Sequence, residues 1–547
     1  MVLRSDLHIP RPQQPIHLTL LEKCAYFERE MPDLVAFRNS ADHSDFLTYG
    51  RFKENILRVG NYFHSNGYKK GEVCAFVLPN CWEFAVSMVG AWTAGMTASA
   101  ASVQFTHYEI HHQLVDSEAV VVITEDTYLE KVLQAVKDAP RIREIISIQS
   151  SPSPLPPNVT AFHKILSTSP DFDPRTISID MDNDLITLPY SSGTTGAPKG
   201  VMITHLNLAY TLDIFLDNER RTWEAMGVGL EVVIGRTSLA VLPQYHALGM
   251  FTMVSLAYSG VQQMMFRKYN LRSVLEHTEK FKVTVLILVP AIITQLASSP
   301  LLDQFDLSSV KSISCGSAPL GKNVIDKIKS RLPISIRQGY GMTEMSLGSH
   351  FSRLGQPEEA MGKLKANMEM KVLNQETGKE CGPMEVGELR VKGPVVMKGY
   401  KNRPDDTAKT FDEEGFLITG DLVYYDQDGY LYVCERTKEL IKVKGAQVAP
   451  AELEDLILGI DGVLDCAVTG IPDERNGEVP RAFIVRRGNH PTEEEIHRYV
   501  NERVARYKRL DGGITFIDAI PRTPSGKMLR RKLKELYLQE TNSKSKL

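Results

Sequence analysis

Along the first third of the chain, two rhythms of apolar residues alternate. Between about residues 46 and 123, helical spacing over residues 51–63 gives way to the unbroken run Val73-Cys74-Ala75-Phe76-Val77. Helical spacing then returns over residues 82–93 and is followed by the run Val120-Val121-Val122-Ile123. A short continuous apolar run suits a strand buried on both faces, and strands separated by helices predict a parallel sheet in an α/β fold.

The same alternation resumes at Leu185 and continues through the apolar run 283–289 to about Leu332. From Met368 to Val396 the segments shorten, with turns at Glu376-Thr377-Gly378 and Cys381-Gly382-Pro383, which predicts a small β-rich region. Beyond Arg436 the pattern predicts a helix from Pro450, strands over 464–468 and 482–485, and a helix from Thr492. The chain therefore divides into residues 1–436 and 437–547. Two charge-free stretches, 237–266 and 283–302, reach membrane-spanning length. Pro243, Gln244 and His246 interrupt the first, Pro290 and Gln295 the second. Each is expected to be a buried strand running into a buried helix, in a soluble chain.

Composition narrows this picture. The 547 residues include 63 basic and 67 acidic side chains, a net charge of −4. That length implies several domains with large cores, and so even a balance offers no field for nucleic acid or a membrane surface. The seven cysteines (Cys24, Cys74, Cys81, Cys315, Cys381, Cys434 and Cys466) are scattered without a C-x-x-C pair, as expected of core thiols in a reducing compartment. The start of the chain has no apolar run of the secretory kind. Its end, Ser545-Lys546-Leu547 after a polar tail, matches the tripeptide read by the peroxisomal import receptor, so the expected location is the peroxisome.

The segment richest in chemistry is Tyr190-Ser191-Ser192-Gly193-Thr194-Thr195-Gly196-Ala197-Pro198-Lys199-Gly200. Glycines, hydroxyls and a lysine are the groups needed to wrap phosphate oxygens in N–H donors and positive charge. Pro198 stands where a Walker loop would have its second glycine, so the loop is not of that type. Further on, Ser314-Cys315-Gly316-Ser317-Ala318 would let a flat ligand approach the backbone. Gln338-Gly339-Tyr340-Gly341-Met342-Thr343-Glu344 offers an aromatic face, a hydroxyl and a carboxylate able to hold Mg²⁺, and Asp421 offers a carboxylate for ribose hydroxyls.

In this order, over residues 20–533, these motifs resemble the adenylate-forming family of acyl-CoA synthetases, 4-coumarate–CoA ligases and firefly luciferase. The resemblance implies a large N-terminal domain of stacked α/β subdomains plus a β-barrel, with a small mobile α+β C-terminal domain. It implies ATP, Mg²⁺ and coenzyme A as the small molecules used, and a two-step conversion of a hydrophobic carboxylic acid through an acyl-adenylate to its CoA thioester. Alternatives left open are oxidation of the adenylate, transfer to a carrier protein, and binding without catalysis.

By the same resemblance, Ser191 to Gly196 and Lys199 hold the phosphates, Thr343 the α-phosphate, and Glu344 the metal. Ser317, Ala318 and Tyr340 sandwich adenine, Gln338 and Gly339 belong to the same ATP/AMP site, and Asp421 and Arg436 bind ribose. Lys438 is the hinge, Lys442 and Gln447 lie near the adenylate, and Lys444 and Gly445 contact CoA. Lys527, in Pro521-Arg522-Thr523-Pro524-Ser525-Gly526-Lys527, is the lysine of adenylation. His246 gates the acid pocket, to which Leu248, Gly316, Met342 and Gly348 also map. Two features depart from the pattern: Ala446 replaces an aromatic residue before Gln447, and the segment between His205 and His246 is longer than usual.

Overall fold

The computed structural model describes all residues except 1, 151–153, 192–197, 226, 445, 474, 524–525 and 545–547. Its central sheet places the strands Thr97–Ala100, Val73–Val77, Ala119–Glu125 and Glu144–Ile148 side by side and parallel. Every residue of Val73–Val77 and Ala119–Glu125 is buried, which explains their unbroken apolar sequences. Helix Trp82–Thr93 crosses between the first two and is itself almost wholly buried. Its length matches the apolar stretch read from the sequence.

A second sheet joins Thr237–Ala240 and Gln262–Met265 in parallel through helix Ala247–Tyr258. A third runs Val285–Leu288, Ser312–Cys315 and Ser335–Tyr340 in parallel. The two charge-free stretches thus fold as strand and helix, the second as Val285–Leu288 followed by Pro290–Ser298. Among the described residues no helix is long and apolar enough to cross a membrane. All seven cysteines are free thiols, and all but Cys434 are buried.

The β-rich region is an antiparallel sheet in the order Leu3–Arg4, Glu369–Leu373, Gly387–Lys392, Leu417–Tyr425 and Leu431–Arg436. Among the described residues from Ile441 onward the strands pair only among themselves: Ile441–Val443 with Ala446–Val448, and the long hairpin Val463–Asp473 with Gly477–Arg486. Helices Pro450–Leu458 and Glu493–Asn501 accompany this sheet around an apolar core of their own. The molecule is a mixed α/β protein with a large N-terminal and a small C-terminal part.

Candidate functional site

The parallel strands Ser312–Cys315 and Ser335–Tyr340 end side by side, with Cys315 opposite Gln338. The loops leaving their carboxyl ends carry Gly316, Ser317 and Met342 into a cavity of about 210 Å³. Such strand ends are where open α/β sheets place ligands. Gln338 braces the wall: its amide donates to the Glu358 carbonyl at 2.8 Å, and its Oε1 accepts from the Leu320 N–H at 2.8 Å.

Strands of the antiparallel sheet complete one side. Asp421 and Arg436 are directly opposite each other across Leu417–Tyr425 and Leu431–Arg436. Arg436 Nε lies 3.2 Å from Asp421 Oδ1, and the Tyr340 hydroxyl donates to Asp421 Oδ2 at 2.6 Å. Burial pushes the Asp421 carboxyl up, while Arg436 and the Tyr340 bond oppose that shift.

Glu344, in the turn Thr343–Met345, is 5% exposed. Its Oε1 accepts from the Ser191 hydroxyl at 2.9 Å and the Tyr400 hydroxyl at 2.8 Å. Tyr400 reaches it because Gly399–Tyr400 pairs with the strand Lys199–Thr204. Lys199 lies beside this cluster, with Nζ 2.9 Å from Asp406 Oδ2 and 5.1 Å from the Tyr400 ring centre.

Lys527 enters the same cavity from the small C-terminal part. Arg522 fixes its loop by a two-pronged bond to Asp465 at 2.8 and 3.1 Å and by donating to the Gly526 carbonyl at 3.1 Å. Gly526 has φ +86°, and a Cβ there would come within 2.9 Å of Val289 in the large part, so glycine permits both the turn and the close approach. Among the described residues no acceptor stands within hydrogen-bond reach of the Lys527 ammonium. Burial and then Arg436 lower its pKa, against the pull of Glu344, Asp421 and Glu439. His246 immediately precedes helix Ala247–Tyr258 and lines the cavity; burial, with Lys527 nearby, pushes its imidazole down to about 4, so it is neutral at physiological pH.

Of the other residues expected from the sequence, Leu248, Gly339 and Thr343 also line the cavity. Gly348 stands behind the wall, where a Cβ would lie 2.4 Å from the Tyr340 carbonyl. Ala318 is exposed beside Ser317 and does not line it. Lys442, Lys444 and Gln447 are exposed on the hairpin of Ile441–Val443 and Ala446–Val448, away from the cavity, and Lys438 lies in the connection before it. Ala446 pairs with Val443 in that hairpin. Ser192, Gly193, Thr194, Thr195, Gly196, Gly445 and Ser545-Lys546-Leu547 lie outside the described residues. The long segment before His246 walls the far end of the cavity: helix His205–Glu224 contributes Phe215, Glu219 and Trp223, and the following turn contributes Val233.

A protein-family model described as AMP-binding enzyme matches residues 24–401, and its C-terminal-domain counterpart matches 452–527. The chain belongs to the adenylate-forming, AMP-binding enzyme family. Family relatives include acyl-CoA synthetase 7 of Caenorhabditis elegans, 40% identical over 97% of this chain and 98% of that one. Another is 4-coumarate-CoA ligase 1 of Narcissus pseudonarcissus, 36% identical over 97% and 94%. Among solved family structures, ATP-bound MatB from Rhodopseudomonas palustris superposes with TM-score 0.82 at 26% identity, covering 94% of this chain and 99% of that one. Anthranilate CoA ligase AuaEII, in complex with anthranoyl-AMP, shares the fold with TM-score 0.84 at 24% identity over 98% and 99%.

The sequence motifs did not identify Tyr400 or Asp406. Each acts through a partner distant in sequence, as Tyr400 does through Glu344, and no local motif signals such a pairing.

Proposed function

We propose that this protein is an AMP-forming acid–CoA ligase for hydrophobic carboxylic acids. The observation that carries the reading is the Lys527 ammonium, held without an acceptor among the described residues in a cavity it shares with Thr343, Tyr340 and Arg436. A buried cation without a partner suits an anionic ligand.

In the first step the acid's carboxylate oxygen attacks the α-phosphorus of ATP, and the bond to pyrophosphate breaks. Two anions must approach, and Lys527 relieves their repulsion most where charge is greatest, in the transition state. Asp421 binds the ribose hydroxyls, its orientation held by Arg436 and Tyr340. Ser317 and the backbone at Gly339 and Tyr340 border the adenine. In the second step the thiol of coenzyme A attacks the acyl carbon and AMP leaves. The unit beginning after Arg436 would turn about Lys438 to withdraw Lys527 and bring Lys442, Lys444 and Gln447 inward.

Glu344 fits Mg²⁺, because a buried carboxylate among hydroxyl oxygens is a hard-oxygen donor set. When bound, the ion would neutralise phosphate charge there. The acid's tail would lie among Phe215, Trp223, Leu248, Phe251 and Ile287, which favours fatty or aromatic acids. With ATP, Mg²⁺ and a panel of medium-chain, long-chain and aromatic acids, pyrophosphate release should be acid-dependent, and release of AMP and thioester should require CoA. Acid-dependent pyrophosphate release with AMP discharge that ignores CoA would favour the oxidising or carrier-loading alternatives.

Ser545-Lys546-Leu547 supports peroxisomal import through the receptor that reads this tripeptide. Removing those three residues should disperse a fluorescent fusion from peroxisomes to the cytosol; unchanged distribution would refute the address.

A further inference from the structure

Helices Lys322–Lys329, which starts after Gly321, and Pro450–Leu458, which starts after Ala449, are among those that begin without a side-chain cap from the flanking residue. The first helix belongs to the large part and the second to the small part. In both, the second amide of the helix is satisfied from across the boundary. Asp455 Oδ1 accepts from the Asn323 N–H at 3.2 Å, and Glu435 Oε2 accepts from the Ala451 N–H at 2.9 Å. The Asn323 side chain adds bonds to the Asp455 carbonyl at 2.9 Å and to Oδ2 at 3.2 Å. Gly321 makes room for this, since a Cβ there would lie 2.0 Å from Asp455 Oδ1. Each carboxylate also sits at the positive end of the other part's helix dipole.

We infer that Asp455 is a positioning residue which, by capping helix Lys322–Lys329 of the large part from across the boundary, holds the small part where Lys527 reaches the adenylation site. The inference rests on the proposed two-step ligation. Glu435 lies one residue before Arg436 and close to the hinge, so its cap can survive a rotation there. Asp455 lies on the far side of the interface, and its bonds to Asn323 must break when Lys527 withdraws. Asp455 therefore biases the enzyme toward its first step and against its second. It touches no reacting atom and acts only through the placement of Lys527.

The test separates the half-reactions in the full-length enzyme. Asp455→Ala should slow acid-dependent pyrophosphate release about fivefold, the factor one helix cap is worth, while thioester formation from supplied acyl-AMP stays equal or rises. Asn323→Ala, made on the other part, should give the same split, and the double variant should be no worse than either single one. Asp455→Asn, which keeps an acceptor for the Asn323 amide, should restore most of the first step. Hydrogen exchange on the substrate-free protein gives an independent measure: in Asp455→Ala, protection should fall around Val289, which faces Gly526, as well as at residues 321–325. Unchanged pyrophosphate release, equal loss of both half-reactions, additive effects of the two variants, or faster exchange confined to 321–325 would each overturn the inference. If the wild-type enzyme adenylates no acid, the proposed function fails, and the exchange measurement still decides the capping.

Discussion

Lys527→Ala is expected to lower acid-dependent pyrophosphate release by roughly 10²–10³-fold, the usual cost of removing a preorganised charge from a transition state. Conversion of supplied acyl-AMP and CoA to thioester should remain within a few-fold of wild type, because in the proposed second step the small part would withdraw Lys527. A protein that merely misfolded would lose both. The lysine sits in a loop whose shape depends on Arg522, Asp465 and Gly526, and none of these contacts uses the ammonium. The fold should therefore tolerate the change, with an unaltered melting curve as the check. Burial and Arg436 depress the Lys527 pKa, so its charge, and with it the first step, is lost as pH rises through a value below that of a free lysine. Lys527→Arg keeps the charge and should remove that alkaline limb. Adenylation by Lys527→Ala at a normal rate would refute the role.

Much of this site was legible because the chemistry is local. The hydroxyl and glycine loop ending in Lys199, the turn carrying Glu344 and the loop carrying Lys527 each announce themselves within about ten residues, and a nucleotide site needs just those groups. Elements buried on all sides were equally plain: Val73–Val77 and Trp82–Thr93 are observed where their apolar runs predict them. The hairpin strand expected over 464–468 instead runs Val463–Asp473. Its second half, with Thr469, Gly470, Pro472 and Asp473, is held by pairing with Arg481, Pro480, Glu478 and Gly477, and apolar spacing carries no record of a partner strand. The same reason hid Tyr400 from Glu344 and Asp455 from Asn323. Their meeting is a property of sheet register and of how the two parts dock.

The long segment before His246 shows how a departure from a family pattern acquires a physical meaning only in three dimensions. In sequence it is a stretch whose charged residues all fall between Asp213 and Arg236. In the structure its helix sets Glu219 against Arg337, 2.8 Å apart, in a cavity wall that also includes Phe215, Trp223 and Phe251. Arg337 is 7% exposed, so removing either partner would strand a buried charge. This part of the cavity, where the acid is proposed to lie, is thus built by residues that no short motif predicts, which is why the motifs identify the reaction more readily than the acid.

Glu344→Gln is expected to reduce pyrophosphate release by about 10²–10³-fold and to raise the Mg²⁺ concentration needed for half-maximal rate. The carboxylate is 5% exposed, and its hydrogen-bond partners are two neutral hydroxyls, those of Ser191 and Tyr400. Neutral donors stabilise a buried charge less than a cation does, so this arrangement leaves Glu344 suited to a positive ligand. Two nearby cations are paired with other carboxylates, Lys199 with Asp406 and Arg436 with Asp421, and Lys527 acts on Glu344 through its field without a hydrogen bond. Glutamine preserves the shape and accepts the same two hydroxyl bonds through its amide oxygen while discarding the charge, so the fold should hold and the difference should appear in metal dependence. Tyr400→Phe provides the contrast, since it removes one hydroxyl bond and no charge and should cost only about tenfold or less. A Glu344→Gln enzyme with wild-type rate and wild-type Mg²⁺ dependence would show that the metal is held elsewhere.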